Sequence, residues 1–370
     1  MISLKPLAIF SVITAFSSSI VFAETGSKAL ADQLGSLDNS QIAIPMKDGK
    51  KKVTFFAKNF SPEDKATLAE LAPNLNLVVG LSNEEVSKRI AEADGIDARY
   101  ISQDLLKQKN NIKWVQAPTA GVDKYLGGNS PLKGNDIILT NFRGVHGPSI
   151  ADHAMALLLF QARNLSFYAD NQKKEVWDRE TFPKPAITLK GKTMMVIGLG
   201  GIGTEIAKRA HGFEMRVIGT RRSDSPSPEF IEKVGKPQDL LKMLPEADVV
   251  VLAVPLTSET KHMMNKEAFA AMKDGSYLIN IARGAVVKTE ALIEALNSGK
   301  LAGAGIDVTD PEPLHKGHSL WKAPNLIITP HVSGKTEITK KRRSALTVEN
   351  LRRFASGEPL LNVVDKEAGY

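Results

Sequence analysis

From Val53 onward the chain alternates short apolar runs with segments whose apolar residues recur three and four positions apart. The runs are Val53 to Ala57, Leu75 to Gly80, Arg99 to Ser102, Ile112 to Gln116 and Ile137 to Asn141. Between them, Ser61 to Leu71, with Pro62 just inside its start, and Asn83 to Ala93 carry helix-start signals. Strand-sized runs alternating with helices predict a parallel sheet with crossover helices, one α/β unit. A second series, at Thr193 to Ile197, Arg216 to Gly219, Asp248 to Val254, Ser276 to Ile281, Ala304 to Asp307 and Leu326 to Thr329, predicts another unit of the same kind.

Two helices stand outside that rhythm. Ser149, with Asp152 three residues on, predicts a helix start, and the segment through Leu157, Leu158, Leu159 and Phe160 is apolar on nearly every side. Such a helix has to be buried, in a core or in a subunit interface. Thr336 to about Ala355 predicts a basic closing helix, with no glycine until Gly357.

Composition agrees with two domains. The 370 residues include 42% hydrophobic and 24% charged positions, 28 Gly, 19 Pro and no Cys, which excludes a disordered, collagenous or disulfide-stapled chain. The formal charge of +7 is scattered, with short clusters at Lys50 to Lys52 and Lys340 to Arg343 that read as solvated surface. Nucleic-acid binding would need a concentrated basic stripe, so no nucleic-acid partner is expected. Ahead of both units, a charge-free run from Leu7 to Phe22 follows Lys5 and ends in Val21-Phe22-Ala23. That layout predicts a cleavable signal peptide over residues 1–23 and export to the periplasm or the medium; without a working signal the protein stays cytoplasmic.

The chemistry gathers in the second unit. Gly198-Leu199-Gly200-Gly201-Ile202-Gly203 fits G-x-G-x-x-G, directly after the run Met194 to Ile197 and directly before a segment with Ile202, Ile206 and Ala210 on one face. Strand, glycine turn and helix in that order predict a pyrophosphate held by backbone N–H groups at a helix N-terminus. The next strand ends in Gly219-Thr220-Arg221-Arg222, with no carboxylate before Asp224. Guanidiniums there suit a 2′-phosphate, so NADP is favoured, with NAD the alternative if Asp224 reaches the ribose.

Three further strand ends carry charged or titratable residues: Ala282-Arg283-Gly284, Asp307 to Pro313 with Glu312, and Thr329-Pro330-His331. Reduction of a carbonyl needs a cation to hold and polarise the substrate, a proton donor and a carboxylate to orient that donor. Arg283, His331 and Glu312 supply that set. His315 and His318 flank Lys316-Gly317 and read as loop residues, and no metal site is expected.

Taken in order, these motifs resemble those of the D-isomer-specific 2-hydroxyacid dehydrogenases of the glyoxylate and hydroxypyruvate reductase type. The likeness includes Trp114-Val115-Gln116 with Ala120-Gly121-Val122-Asp123, Thr140-Asn141, Gly144-Val145-His146-Gly147, Pro255-Leu256-Thr257 with Thr260, Gly305 to Val308, Leu320-Trp321 and the three strand ends above. It implies an α/β fold of two Rossmann-like or flavodoxin-like parallel-sheet domains, the cofactor domain (145–331) being inserted into a discontinuous substrate domain (24–144 and 332–370). It also implies hinges near Gly144 and His331, and a homodimer to which the helix after Ser149 contributes.

By the same resemblance Arg283 binds the substrate, His331 exchanges the proton and Glu312 holds His331. Backbone around Thr119, Ala120 and Gly121 completes the carboxylate site. Gly198, Gly200, Gly201, Ile202, Gly203, Thr220, Arg221, Arg222, Val254, Pro255, Thr260 and Ala282 hold the dinucleotide, and Asp307 faces the nicotinamide carboxamide. Three positions depart from the family pattern: Asp152 where Glu is usual, Lys288 where an acidic residue is usual, and Arg221 in place of Asp. The implied activity is hydride transfer between NADP(H), or NAD(H), and a small 2-oxo acid such as glyoxylate or hydroxypyruvate. The alternative is an exported dinucleotide-binding or sensing module with little catalysis.

Overall fold

The computed structural model describes residues 52–369 apart from 109 and 182, so the predicted signal peptide lies outside the described residues. The first sheet comprises β1 (Val53–Ala57), β2 (Leu75–Val79), β3 (Gly95–Asp97), β4 (Trp114–Gln116) and β5 (Ile138–Thr140). All pairs are parallel, in the order β2-β1-β3-β4-β5. Helix α1 (Pro62–Leu71) begins where Ser61 accepts from the Asp64 amide, and α2 (Asn83–Arg89) where Ser82 and Glu85 form a reciprocal capping box.

The strand expected at Arg99 to Ser102 lies earlier, at β3. The Asp97 side chain accepts from the Arg99 amide and turns the chain into a single 3₁₀ turn at Ala98–Tyr100. Gly95 sits inside β3 because a Cβ there would lie 2.7 Å from the Phe55 ring.

Helix α3 (Gly147–Ala162) leads to the second sheet: β6 (Thr193–Ile197), β7 (Arg216–Thr220), β8 (Lys233–Gly235), β9 (Val249–Leu252), β10 (Ser276–Asn280), β11 (Leu301–Ile306) and β12 (Leu326–Ile328). Its order is β12-β11-β10-β9-β6-β7-β8, again all parallel. Both units therefore have the doubly wound α/β class read from the sequence. β8 was not foreseen, since two of its three residues are exposed and carry no buried-strand signal.

Helix α3 is capped at His146 rather than Ser149. Ser149 lies inside the first turns, its Oγ 2.6 Å from Thr336 Oγ1 and 2.9 Å from Thr339 Oγ1. The apolar faces of α3 are in the core, where Ile150, Ala154 and Leu158 pack with Val196, Val251 and Ile279 and with Ile206 of α4 (Gly201–Gly212). Asp152 pairs with Arg209 of α4 at 2.6 Å.

The closing helix, α5 (Glu337–Ser356), returns to the first sheet, where Val348, Leu351 and Phe354 pack with Val53, Phe55 and Trp114. The Trp114 ring lies 4.8 Å from Phe55 and 5.0 Å from Phe354. One member of the Lys340 to Arg343 cluster departs from the solvated reading. Arg343 turns inward, donating from Nη2 to the Pro118 carbonyl at 2.8 Å with its guanidinium 4.9 Å above the Phe142 ring.

Candidate active site

The second sheet reverses its winding between β6 and β9, and the glycine turn lies at that point. Gly198 has φ +100°, and a Cβ there would lie 2.7 Å from the Ala253 carbonyl oxygen after β9. At Gly203 a Cβ would overlap the Gly198 carbonyl, so only glycine lets α4 close onto the turn. Gly200 meets the opposite condition: among the described residues nothing lies within 4 Å of its would-be Cβ. Backbone packed on one side and open on the other, at the start of α4, fits a pyrophosphate cradle. Gly201 backs onto Gly144, whose Cα would lie 3.4 Å from a Cβ at position 201, with Ile202 half-buried beside it. Across the turn, Thr260 Oγ1 donates to the Pro255 carbonyl at 2.6 Å and accepts from the Thr257 amide at 2.8 Å, so it shapes the loop after Val254.

At the end of β7, buried Thr220 accepts the Gly198 and Leu199 amides on its carbonyl, each at 3.0 Å. Arg221 donates from Nη1 to the Pro226 carbonyl at 3.2 Å, while its buried Nε has no hydrogen-bond partner among the described residues. Asp224 is ion-paired with Lys236, which holds its carboxyl below the ordinary value. Lys236 also donates to the Arg222 carbonyl at 3.1 Å. Lys236 escaped the sequence reading because it follows the unforeseen β8.

Arg283, Asp307 and His331 follow β10, β11 and β12, three neighbouring parallel strands, and so share one sheet edge. At about 4.8 Å per strand, the first and last strand ends stand roughly 10 Å apart. Asn280 shapes the first exit, accepting from the Ala282 amide at 3.0 Å and donating to the Arg283 carbonyl at 3.1 Å. The Arg283 guanidinium donates from Nη1 to the Ala282 carbonyl at 2.7 Å and from Nε to Asp123 Oδ1 at 3.1 Å. Its Nη2 occupies the space a Gly121 side chain would need. The expected loop thus meets the expected arginine across 160 residues of chain. Thr119 Oγ1 donates to the Gly121 carbonyl at 2.7 Å, and Asn141 donates to the Ala120 carbonyl at 2.8 Å, holding the loop in shape. Asp123, in the same motif as Gly121, aligns the guanidinium.

His331 has φ +53°, and its amide donates to the Asp307 carbonyl at 2.7 Å. Its Nδ1 lies 2.6 Å from Glu312 Oε1, with the two side chains 46% and 41% exposed. An ionised carboxylate accepts, so Nδ1 donates and Nε2 is left to exchange a proton with a ligand.

Asp307, expected to face the nicotinamide carboxamide, turns its carboxylate inward. It is 1% exposed; Oδ1 accepts from Thr329 Oγ1 at 2.6 Å and the Val332 amide at 2.9 Å, and Oδ2 from the Ser333 amide at 3.0 Å. The reason is local: the left-handed turn at His331 aims its neighbours' N–H groups back at this carboxylate. Burial alone would raise its pKa, but hydrogen bonds from Ser333, Thr329 and the two amides outweigh burial and hold it below the ordinary value. Its stabilising contribution is therefore present above an unfolded pKa near 3.9 and is lost as pH falls through the depressed folded value. Asp307→Asn should cost about 1–3 kcal/mol, because an amide places an N–H against one of those donors. Urea unfolding at pH 7 measures this, and an unchanged midpoint would show that the array does not hold the turn. His153 joins the same array, its Nε2 2.9 Å from Thr329 Oγ1 and 3.6 Å from Asp307 Oδ1. Nothing local in the sequence signals that convergence across more than 150 positions.

His315 and His318 stand edge to face with centroids 5.0 Å apart, and among the described residues no group of three metal-ligating side chains occurs.

Residues 155–333 match the family model for the D-isomer specific 2-hydroxyacid dehydrogenase, NAD binding domain. The chain is 37% identical to the glyoxylate reductase of Thermococcus litoralis over 275 residues, 72% of this chain and 81% of that protein. It is 34% identical to the D-3-phosphoglycerate dehydrogenase of Methanocaldococcus jannaschii over 82% of its own length, and the match spans 57% of that longer relative. Among solved structures, the D-isomer specific 2-hydroxyacid dehydrogenase of Xanthobacter autotrophicus in complex with NADPH and MES superposes with a TM-score of 0.71 at 27% identity, covering 86% of this chain and 100% of that one. The fold and the relatives define the class: this chain belongs to the D-isomer specific 2-hydroxyacid dehydrogenase family and carries that family's NAD binding domain.

Proposed function

We propose that the protein is an NADP-preferring reductase that converts a small 2-oxo acid, of the glyoxylate and hydroxypyruvate class, to the D-2-hydroxy acid. The carrying observation is the pairing of an arginine seated on the Gly121 loop with a histidine held by a carboxylate on the same sheet edge. Arg283 holds the substrate carboxylate and polarises the neighbouring carbonyl oxygen. His331 donates its Nε2 proton to that oxygen as the carbon is reduced, and Glu312 keeps the ring oriented through Nδ1. The nicotinamide, when bound, supplies the hydride. Closure of the cleft around these groups would keep water from the reacting carbon.

The cofactor preference rests on Arg221, whose Nε lacks a partner among the described residues, and on Asp224, which Lys236 holds. Turnover of glyoxylate and hydroxypyruvate against NADPH and NADH in parallel tests both readings. Arg221→Asp should lower the NADPH-to-NADH selectivity by about 10–100-fold, the worth of one charge-assisted hydrogen-bonding partner. Equal selectivity in the two proteins would remove Arg221 from the assignment. Dinucleotide binding with no turnover of either acid would favour the binding-module alternative.

The same reading includes a homodimer. Leu165, Tyr168, Val176 and Trp177, the last 90% exposed, gather in one stretch after α3, and a second copy would cover them. Light scattering should report twice the chain mass, and a monomeric mass at micromolar concentration would overturn it.

A further inference from the structure

The first sheet reverses its winding between β1 and β3, so the crevice beyond their C-terminal ends is its switch point. A cavity of about 860 Å³ opens there. Asn59 enters it from the exit of β1, Arg99 from the exit of β3, Gln116 from β4 and Arg343 from α5, with Lys335 and Lys340 on the rim.

The two arginines differ in one respect. Arg99 is matched by Asp97, with Nε 2.9 Å from Oδ1 and Nη2 2.6 Å from Oδ2. Arg343 makes no ion pair among the described residues; it has the Pro118 carbonyl and the Phe142 face. Burial and the nearby charge of Arg99 push its guanidinium below the ordinary value, against a smaller pull from Asp97. The other carboxylates of the cavity are Asp64, which accepts from Ser344 Oγ, and Glu337, exposed at the rim. A half-buried cation without its own counter-charge is costly unless a ligand supplies one.

We propose that this cavity takes the distal anionic group, a carboxylate or a phosphate, of a 2-oxo acid whose own carboxylate is held by Arg283 at Gly121. The proposal rests on the reductase reading but moves the preferred substrate from glyoxylate or hydroxypyruvate, whose tails are uncharged, to 2-oxo acids with an anionic tail. Arg343 is tied to the carbonyl of Pro118 and Arg283 is seated at Gly121, so the backbone points that anchor the two guanidiniums are three residues, at most about 11 Å, apart. Glyoxylate then fills the Arg283 site and leaves the Arg343 site without a ligand group.

The test compares kcat/KM, with NADPH, for glyoxylate, 2-oxopentanoate, 2-oxoglutarate and 3-phosphohydroxypyruvate in the wild type, Arg343→Met and Arg343→Lys. The wild type should favour one of the anionic-tailed acids over 2-oxopentanoate by at least about tenfold, and whichever wins identifies the tail as carboxylate or phosphate. Arg343→Met should collapse that ratio through KM, and Arg343→Lys should restore part of it. Because the readout is a ratio, a general loss of folded protein does not move it. A wild-type ratio near one, or an equal proportional loss on all four acids in Arg343→Met, would overturn the proposal. Turnover of glyoxylate without any preference for an anionic tail sinks it and leaves the reductase reading standing. No turnover of any of the four, with dinucleotide bound, sinks both.

Discussion

His331→Asn should lower kcat for 2-oxo acid reduction about a thousandfold while dinucleotide affinity stays within about a factor of two. A positioned general acid contributes roughly 10²–10⁴ to the rate, and Nε2 of His331 is the proton donor in the proposed reaction. Asparagine is the informative replacement because residue 331 sits at φ +53°, where Asn is tolerated and Ala is strained. The backbone turn that places Val332 and Ser333 on Asp307 is then kept, and the loss reports chemistry. Glu312→Gln retains a hydrogen-bond acceptor for Nδ1 but not the charge, and should lose less than His331→Asn. Single-turnover absorbance with bound NADPH measures both variants. A His331→Asn enzyme within tenfold of wild type would mean that the proton comes from elsewhere.

Glu349→Ala should destabilise the fold by about 3–5 kcal/mol, a large fraction of the stability of an ordinary domain. Glu349 and Arg353 are 4% and 2% exposed on α5, with Arg353 Nε 2.7 Å from Oε1. The same carboxylate receives Arg352 from Nε and Nη2, both at 3.0 Å, and Arg352 reaches on to Glu358 at 2.6 Å. Glu358, then Glu349, holds the Arg352 guanidinium charged by raising it above its ordinary value. Removing Glu349 leaves a cation inside the protein beneath the face that α5 applies to the first sheet. Denaturant unfolding measures the loss, and Glu349→Gln, which retains an acceptor, should recover part of it. A change below about 1 kcal/mol would mean that water reaches Arg353 in the folded state.

The parts of this protein legible in the sequence are those whose causes lie close together along the chain. The β6 run, the glycine turn and α4 follow from hydrophobic periodicity and from the need for backbone without side chains. Arg283, Glu312 and His331 were legible for a related reason: each stands just beyond an apolar run, and parallel strands deliver their C-terminal ends to one edge. The misplacement of β3 came from a side-chain hydrogen bond at Asp97 that ends the strand early, and β8 was invisible because an exposed edge strand needs no apolar pattern.

By itself, then, the sequence determined two parallel α/β units, the dinucleotide cradle and the residue types of the proposed chemistry, because each depends on neighbours a few positions away. Only the tertiary structure decided that Asp307 faces inward, that His153 joins it, that Lys236 holds Asp224 and that Arg343 lacks an ion partner among the described residues. Those outcomes depend on which side chains, tens to hundreds of residues apart, meet in one low-dielectric space, where a charge must find a partner or wait for a ligand.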